Sequence, residues 1–180
     1  MSTIELANDL RLALRRFARA VVVISAREGD NRYAMVATAV SELSLDPPSM
    51  VICVNRAASI HSPLDRGAAF CINVLHSAQE EVAKTCGGAT KGEARFAVGE
   101  WREDSQGGVP WLADAQASIL CDNVDKLSFG THQLFVGRVT RAAFAPQTAP
   151  LLYADGRYAA LAAQNDGQCQ RDVAAASAPA

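Results

Sequence analysis

The stretch that most constrains the fold is residues 33–56, YAMVATAVSELSLDPPSMVICVNR. It begins with an uncharged run of small, β-branched and apolar residues at 33–40, continues as a polar turn that ends at Pro48, and closes with a second apolar run at 50–54. Such runs on either side of a proline-containing turn predict two strands joined by a bend. The small residues at 37–41 would let the backbone approach a flat or charged ligand, with amides and hydroxyls as its contacts.

The composition predicts one globular domain. The chain has 180 residues, of which 49% are hydrophobic and 20% charged, and this is enough for a real core. We expect the domain to span residues 1–163, with a polar and then alanine-rich, disordered tail at 164–180. The net charge of −2 offers no basic excess for phosphates, so no nucleic-acid partner is expected. Because no apolar stretch could cross a bilayer and no secretory signal is seen, no membrane partner is expected either.

The five cysteines indicate a reducing compartment. Their number is odd, and no two are spaced as CxxC. Cys53, Cys71 and Cys121 sit inside apolar runs, which predicts small buried hydrophobic side chains rather than disulfides. This usage suits a cytoplasmic protein. No spacing of Cys, His and carboxylate resembles a zinc site, so no metal ligand is predicted.

Two helix starts are predicted from capping boxes. Ser2 and Glu5 form the first, and the apolar residues that follow, through Phe17, repeat on one helical face. We expect this helix to pack its apolar face on a sheet. Ser77 and Glu80 form the second box and lead a helix that ends at the next pair of glycines.

The rest of the sequence predicts short strands separated by turns. A polar hairpin loop is expected at residues 27–32. The remaining apolar runs expected to form strands are 21–24, 69–75, 115–124 and 133–144. Many strands and few helices favour a mainly β fold with flanking helices, an antiparallel barrel, over a doubly wound sheet. The absence of GxGxxG agrees, because no Rossmann unit is available to hold a dinucleotide.

The chain carries no obvious catalytic cluster but several groups that could meet a phosphate. There is no G-x-S-x-G elbow, no Walker loop and no pair of carboxylates in an apolar setting. Polar residues lie near the predicted strand ends: Thr38, Ser41, Asn55, Arg56 and Ser59. Arg56 and Arg95 could pair with a phosphate bidentately, or could be solvated surface residues. His132 follows Gly130 at the mouth of a strand, as a ligand contact or as a turn histidine bonded to a neighbour.

Four sets of residues, in order along the chain, carry a resemblance to a known family. They are 35–41 with 43–48, then 51–56 with Ser59, then 70–75, and then 130–132 with 134–139, 150–153 and 156–158. Together they resemble the short-chain flavin reductases with the FMN-binding split-barrel fold, which are the reductase components of two-component flavin monooxygenases. The resemblance spans roughly residues 10–161.

The resemblance implies an antiparallel split β-barrel that transfers a hydride from NADH or NADPH to FMN or FAD. Because the cofactor does the chemistry, no catalytic side chain is predicted. The residues implied to line the flavin ring and ribityl chain are Thr38, Ala39, Val40 and Ser41. Those implied at the phosphate or elsewhere in the cofactor site are Asn55, Arg56, Ser59, Asn73 and Arg95. Those implied near the nicotinamide dinucleotide are His132, Gly156, Arg157 and Tyr158.

The resemblance also implies two partners. One is a second copy of the chain, since family members are homodimers, and the other is a separate oxygenase that receives the reduced flavin. Two alternatives stay open from the residues. One is a flavin-binding storage or sensing module without turnover, and the other is a reductase of a different acceptor, such as a ferric chelate or a corrinoid.

Overall fold

A computed structural model describes residues 2–105 and 108–162, and within them three α-helices flank twelve strands. The helices are α1 (Thr3–Leu14), α2 (His61–Asp65) and α3 (Glu80–Lys84). The strands are β1 (Arg19–Ala20), β2 (Val22–Glu28), β3 (Asn31–Ala37), β4 (Val40–Leu45), β5 (Pro48–Asn55), β6 (Phe70–Val74), β7 (Trp101–Glu103), β8 (Pro110–Leu112), β9 (Ala117–Phe129), β10 (His132–Phe144), β11 (Leu151–Ala154) and β12 (Arg157–Ala160). The predicted tail lies outside the described residues, so the boundary at residue 163 stays a prediction.

The main sheet has seven strands in the order β3-β2-β6-β9-β10-β5-β4, and every neighbouring pair is antiparallel. Its two edge strands, β3 and β4, are consecutive in the chain and only Thr38 and Ala39 join them. A two-residue link cannot reach across a flat seven-stranded sheet, so the sheet curls until its edges come together. No ladder joins β3 to β4 in the described part of the chain. The prediction of a mainly β, antiparallel fold is confirmed. We call the gap between the unpaired edges of β3 and β4 the seam.

Strand β2 is buried on both faces and lies at the centre of the core. Val22 and Ile24 face one apolar cluster, while Val21 and Val23 face another, as the two-residue period of a strand requires. The first cluster fills the inside of the curled sheet with Ile52, Val54, Phe70, Ile72 and Phe135. The second lies outside it under α3 and β8, with Leu75, Val82, Leu112 and Leu151. Aliphatic side chains therefore supply most of the interior.

The polar stretch before Pro48 is a strand and not the predicted turn. Val40–Leu45 pairs with β5, with Ser41 opposite Val51 and Leu45 opposite Pro48. Pairing with β5 satisfies the backbone hydrogen-bonding groups of this segment. The bend is therefore limited to Asp46 and Pro47, whose peptide bond is cis. The predicted hairpin loop at 27–32 is shorter for the same reason, because β2 and β3 pair up to the turn.

The first capping box is confirmed, but the expected packing of its helix is wrong. The amide of Glu5 donates to Oγ of Ser2 at 3.2 Å, and the amide of Ser2 donates to Oε2 of Glu5 at 2.6 Å. No residue of α1 is buried, and Leu6 and Leu10 are each more than half exposed. Helical periodicity correctly identified an apolar face of α1, but periodicity does not show whether another element covers that face. The helices in the described residues are all too short or too polar to span a membrane.

The second capping box is wrong. Helix α3 begins after Gln79, whose side chain makes no cap to the helix. Its amide oxygen instead accepts from the amide of His76 at 2.8 Å, and its nitrogen donates to the carbonyl of Asp114 at 3.2 Å. A single π-type turn, Thr85–Ala89, follows the helix. The predicted glycine stop is confirmed there, because Gly88 has a φ of 120°.

Candidate flavin site at the seam of the barrel

The seam opens into a groove that four of the predicted ring contacts line. This seam groove has a volume of about 450 Å³. Its walls are Thr38, Ala39, Val40 and Ser41 from the β3–β4 junction, Val51 and Cys53 from β5, and Arg19 and Ala20 from β1. Most of these side chains are small because two sheet edges meet here, and small side chains leave the backbone accessible. The amide of Cys53 donates to the carbonyl of Ala39 at 3.0 Å and fixes the junction against β5.

A basic pocket of about 330 Å³ lies further back along β3, at Met35 and Val36. Ser59, Lys91 and Arg95 also line it, so two cations face the pocket with no carboxylate among its described lining residues. Two peptide steps in a strand cover about 7 Å, so the basic pocket follows the seam groove closely along β3. A pocket with two cations and a hydroxyl suits a phosphate group.

Arg95 is held by the backbone around the basic pocket. Its Nε donates to the carbonyl of Thr90 at 2.8 Å, and its Nη1 donates to the carbonyl of Ala34. Within the described residues, these bonds leave Nη2 for a ligand. Arg95 thus ties β3 to the segment that follows α3, and it brings a fixed positive charge to the pocket. Lys91 is exposed and lines the pocket, so its ammonium group is accessible to an anion.

Asn55, Arg56 and His132 come together at one end of the barrel. His132 pairs with Asn55 across β10 and β5, and the amide of Arg56 donates to the carbonyl of Thr131 at 3.0 Å. Oδ1 of Asn55 accepts from the amide of Ala57 at 2.9 Å, so this side chain shapes the turn that leads to Ser59. The side chains of Arg56 and His132 are exposed, and Nδ1 of His132 lies 2.9 Å from the Thr131 hydroxyl.

The turn between β11 and β12 borders a third groove, of about 380 Å³, which we call the hairpin groove. Gly156 lines it, and Arg19 and Thr38 line both this groove and the seam groove, so the two are continuous. Arg157 is exposed and donates to Asp155 at 3.3 Å. Tyr158 packs against Tyr153 with ring centroids 5.5 Å apart, and burial raises the pKa of its hydroxyl.

An ion pair fastens helix α1 to this turn. Nε of Arg15 donates to Oδ1 of Asp155 at 3.0 Å, and its Nη2 donates to the carbonyl of Asp155 at 3.1 Å. Hydrogen bonds from Arg15 and then Arg157 hold the pKa of the Asp155 carboxyl below its ordinary value. Helix α1 therefore forms one wall of the hairpin groove, although no other part of the described chain covers the apolar face of α1.

The predicted cofactor contact at Asn73 is contradicted by its position. The residue is 0% exposed. Its Nδ2 donates to the carbonyl of Val23 and to Oγ of Ser25, both at 3.0 Å. Its Oδ1 accepts from the amide of Leu112 at 2.8 Å and from Oγ of Ser118 at 3.1 Å. Asn73 joins β2, β8 and β9 across the core and has no surface left for a ligand.

The sequence analysis did not predict several lining residues, among them Cys53, Arg19 and Lys91. Cys53 was expected to be buried, but it is half-buried and lines the seam groove. Ile52 and Val54 on either side of it are both 0% exposed, and the alternation of a strand therefore indicates that Cys53 faces the other way. Arg19 precedes a buried strand, and Lys91 lies in a glycine-rich stretch with no motif. Only the fold shows that these two border the site.

Residues 14–162 match the model of a family described as "Flavin reductase like domain". The chain belongs to this flavin reductase family. The match covers most of the chain and confirms the family that residue resemblance predicted.

Two curated relatives are similar over most of their length. A Methylorubrum populi protein named FMN reductase (NADH) RutF is 38% identical over 155 residues, which cover 86% of this chain and 76% of that protein. The reductase component of an FADH(2)-dependent resorcinol hydroxylase from Rhizobium sp. is 37% identical over 155 residues, which cover 85% of this chain and 86% of that protein.

Solved flavin reductases share the fold. The NADH:FAD oxidoreductase SgcE6 of Streptomyces globisporus C-1027, in complex with NAD and FAD fragments, has a TM-score of 0.83 at 26% identity. The alignment covers 92% of this chain and 99% of that one. BorF, the flavin reductase component of a bacterial two-component tryptophan halogenase, has a TM-score of 0.79 at 29% identity, covering 88% of this chain and 99% of that one.

Proposed function

We propose that this chain is an NADH-dependent flavin reductase that reduces FMN or FAD and supplies the reduced flavin to a separate oxygenase. One observation carries the proposal. A groove of small residues at the seam and a basic pocket lie in sequence along β3, in the order of the ring and the phosphate of a flavin. The relatives named above, which include the reductase components of a hydroxylase and of a halogenase, support the reaction and the partner.

The residues fit a flavin at both ends of the site. At the ring end, Thr38, Ala39, Val40 and Ser41 offer hydroxyls and main-chain groups without bulk. At the phosphate end, Ser59, Lys91 and Arg95 offer a hydroxyl and two positive charges. Asn55 shapes the turn that leads to Ser59, and the exposed Arg56 directly precedes Ala57, which lines the basic pocket.

The nicotinamide partner is assigned to the open side of the seam groove. A bound flavin supplies the ring that accepts a hydride from the nicotinamide, so the protein needs no acid or base side chain for that step. The protein has to hold two flat groups together and keep water away from them. We assign Gly156 to the rest of the dinucleotide because it lines the hairpin groove, which continues the seam groove. His132, for the nicotinamide, and Arg157 and Tyr158, for the dinucleotide, line neither groove, and we assign them on the family resemblance alone.

We propose that the protein is a homodimer. Phe129 and Phe144 are 82% and 80% exposed, and the apolar face of α1 is uncovered. Leu127 is 65% exposed and lies two residues from Phe129 on β9, so the two side chains project from the same face of the strand. Neighbouring exposed apolar side chains of this size mark an interaction surface. A second copy would cover them, and sedimentation at several protein concentrations would measure the dimer. A monomer at micromolar concentration would contradict this assignment.

We also propose a cytoplasmic location. The four cysteines among the described residues, Cys53, Cys71, Cys86 and Cys121, are free. Burial raises the pKa of the Cys86 thiol to about 11 and that of Cys121 to about 12, so both stay protonated and unreactive at neutral pH. Unpaired cysteines and a nicotinamide donor both suit a reducing compartment.

The test is NADH oxidation by the purified protein with and without added FMN or FAD. We expect NADH loss that depends on flavin and saturates with its concentration. Flavin binding without NADH loss would contradict the reductase and support a storage or sensing module. Faster turnover with a ferric chelate or a corrinoid than with free flavin would contradict flavin as the final acceptor.

A further inference from the structure

The site continues past the basic pocket into a further groove of about 430 Å³, which we call the outer groove. Ser59, Gly92 and Arg95 line both spaces, so they share a wall. The outer groove is otherwise formed by Asp30 in the β2–β3 turn, by the start of β3, including Arg32 and Tyr33, and by Glu93. None of the described residues that line the outer groove lines the seam groove.

Strand β3 orders the three spaces. Its C-terminal end reaches Thr38 in the seam groove, its middle lies at the basic pocket, and its first half, from Asn31 to Ala34, forms the outer groove. Thr38 lies five positions after Tyr33, which corresponds to about 16 Å along a strand. FMN ends at its single phosphate, whereas FAD continues through a second phosphate to ribose and adenine. A ligand that reaches the outer groove from the basic pocket must therefore extend beyond its first phosphate.

Arg32 brings a positive charge to the outer groove, in addition to that of Arg95. Its guanidinium lies 4.3 Å from the centre of the Phe96 ring, which holds its plane in place. It donates from Nε and Nη2 to the two carboxylate oxygens of Glu93. The Arg32 side chain is 23% exposed, while that of Glu93 is 65% exposed. The arginine is therefore largely enclosed, whereas the carboxylate is open to solvent.

Glu93 competes with a phosphate for the same guanidinium. The hydrogen bond from Arg32 lowers the pKa of the Glu93 carboxyl, which stays ionised at neutral pH. While Glu93 is in place, it repels a second phosphate and occupies the fork that would bind it. Because exposed ion pairs are weak, an incoming phosphate can displace it.

We propose that the outer groove receives the AMP part of FAD, with Arg32 on the second phosphate, and that Glu93 sets the preference between FMN and FAD. This inference rests on the proposed flavin site. Tyr33, which also packs against the apolar cluster inside the sheet, lines the part of the groove that we assign to the adenine. With FMN the Arg32–Glu93 pair stays closed, and with FAD it opens.

The test measures the Kd of FAD and of FMN by titration calorimetry, without NADH. In Glu93→Gln, which frees Arg32, we expect the ratio of Kd for FAD to Kd for FMN to fall about fivefold. In Arg32→Gln we expect the ratio to rise about tenfold, since a charge-assisted fork is lost. Arg32→Lys keeps a positive charge over Phe96 but lacks the two-pronged donor geometry of the guanidinium. We therefore expect an intermediate rise in the ratio of Kd for FAD to Kd for FMN.

Asp122→Asn is the matched control, because Asp122 forms an exposed ion pair with Arg138 away from these grooves. It removes the same charge as Glu93→Gln and should leave the ratio unchanged. Equal shifts for FMN and FAD, an unchanged ratio in Glu93→Gln, or the same shift in Asp122→Asn would each overturn the inference. The proposed function fails in a different way, through flavin binding without NADH loss, so the two failures are distinguishable.

Discussion

Replacing Lys91 by glutamine tests the assignment of the basic pocket to a phosphate. Lys91 is exposed and makes no ion pair among the described residues, so the change should leave the fold intact. It removes one of the two positive charges that line the pocket. A screened ionic contact at an accessible site corresponds to about a fivefold change in affinity, and we expect the Kd for FMN to rise by that factor. Riboflavin, which has no phosphate, should bind the variant and the parent equally.

The assay is a flavin titration followed by the quenching of flavin fluorescence, at low and high salt. In the parent, salt should weaken FMN binding more than riboflavin binding, and this difference should shrink in Lys91→Gln. Lys84→Gln is the control, because Lys84 is an exposed lysine of α3 that pairs with Glu80. If riboflavin and FMN lose affinity equally, or if Lys84→Gln acts like Lys91→Gln, the pocket does not bind a phosphate.

Three further predictions concern the core, the hairpin groove and the nicotinamide. In Gly137→Ala the new Cβ would lie 2.4 Å from Cζ of Phe70, so urea unfolding should show a loss of about 1–3 kcal/mol, while Gly87→Ala, with its nearest contact at 3.6 Å, should be tolerated. Because the pKa of Asp155 is lowered in the folded state, its stabilising contribution is present above the ordinary carboxyl pKa and is lost as pH falls through the lowered one. Asp155→Asn should thus lower the melting temperature at pH 7 but not at about pH 2; equal losses at both would count against this ion pair. His132→Ala should raise the KM for NADH much more than the KM for flavin, and equal effects would refute its assigned role.

Local patterns predicted the elements whose neighbours in space are also neighbours in sequence. The Ser2–Glu5 cap and the glycine stop at Gly88 depend on a few adjacent residues, and both were predicted. The strand Val40–Leu45 was missed because its polar residues resemble a turn until β5 pairs with them. Pairing over the whole strand outweighs local propensity there.

The site shows the same division. The small residues at the β3–β4 junction indicated a ligand site, because the size of a side chain can be read directly from the sequence. Lys91 and Arg19 border the site only because the sheet curls, and no spacing in the sequence carries that information. The role of Asn73 was wrong because a polar residue in an apolar strand indicates either a ligand or a buried network. Only the positions of Ser25, Leu112 and Ser118 distinguish the two.

The central claim is that the seam and the basic pocket hold a flavin where a nicotinamide can reduce it. The most direct measurement is the absorbance of the protein with one equivalent of FMN, without oxygen, before and after one equivalent of NADH. The account predicts that the yellow flavin absorbance disappears on mixing and that NADH is consumed in equal amount. A flavin that stays yellow beside unreacted NADH would contradict it.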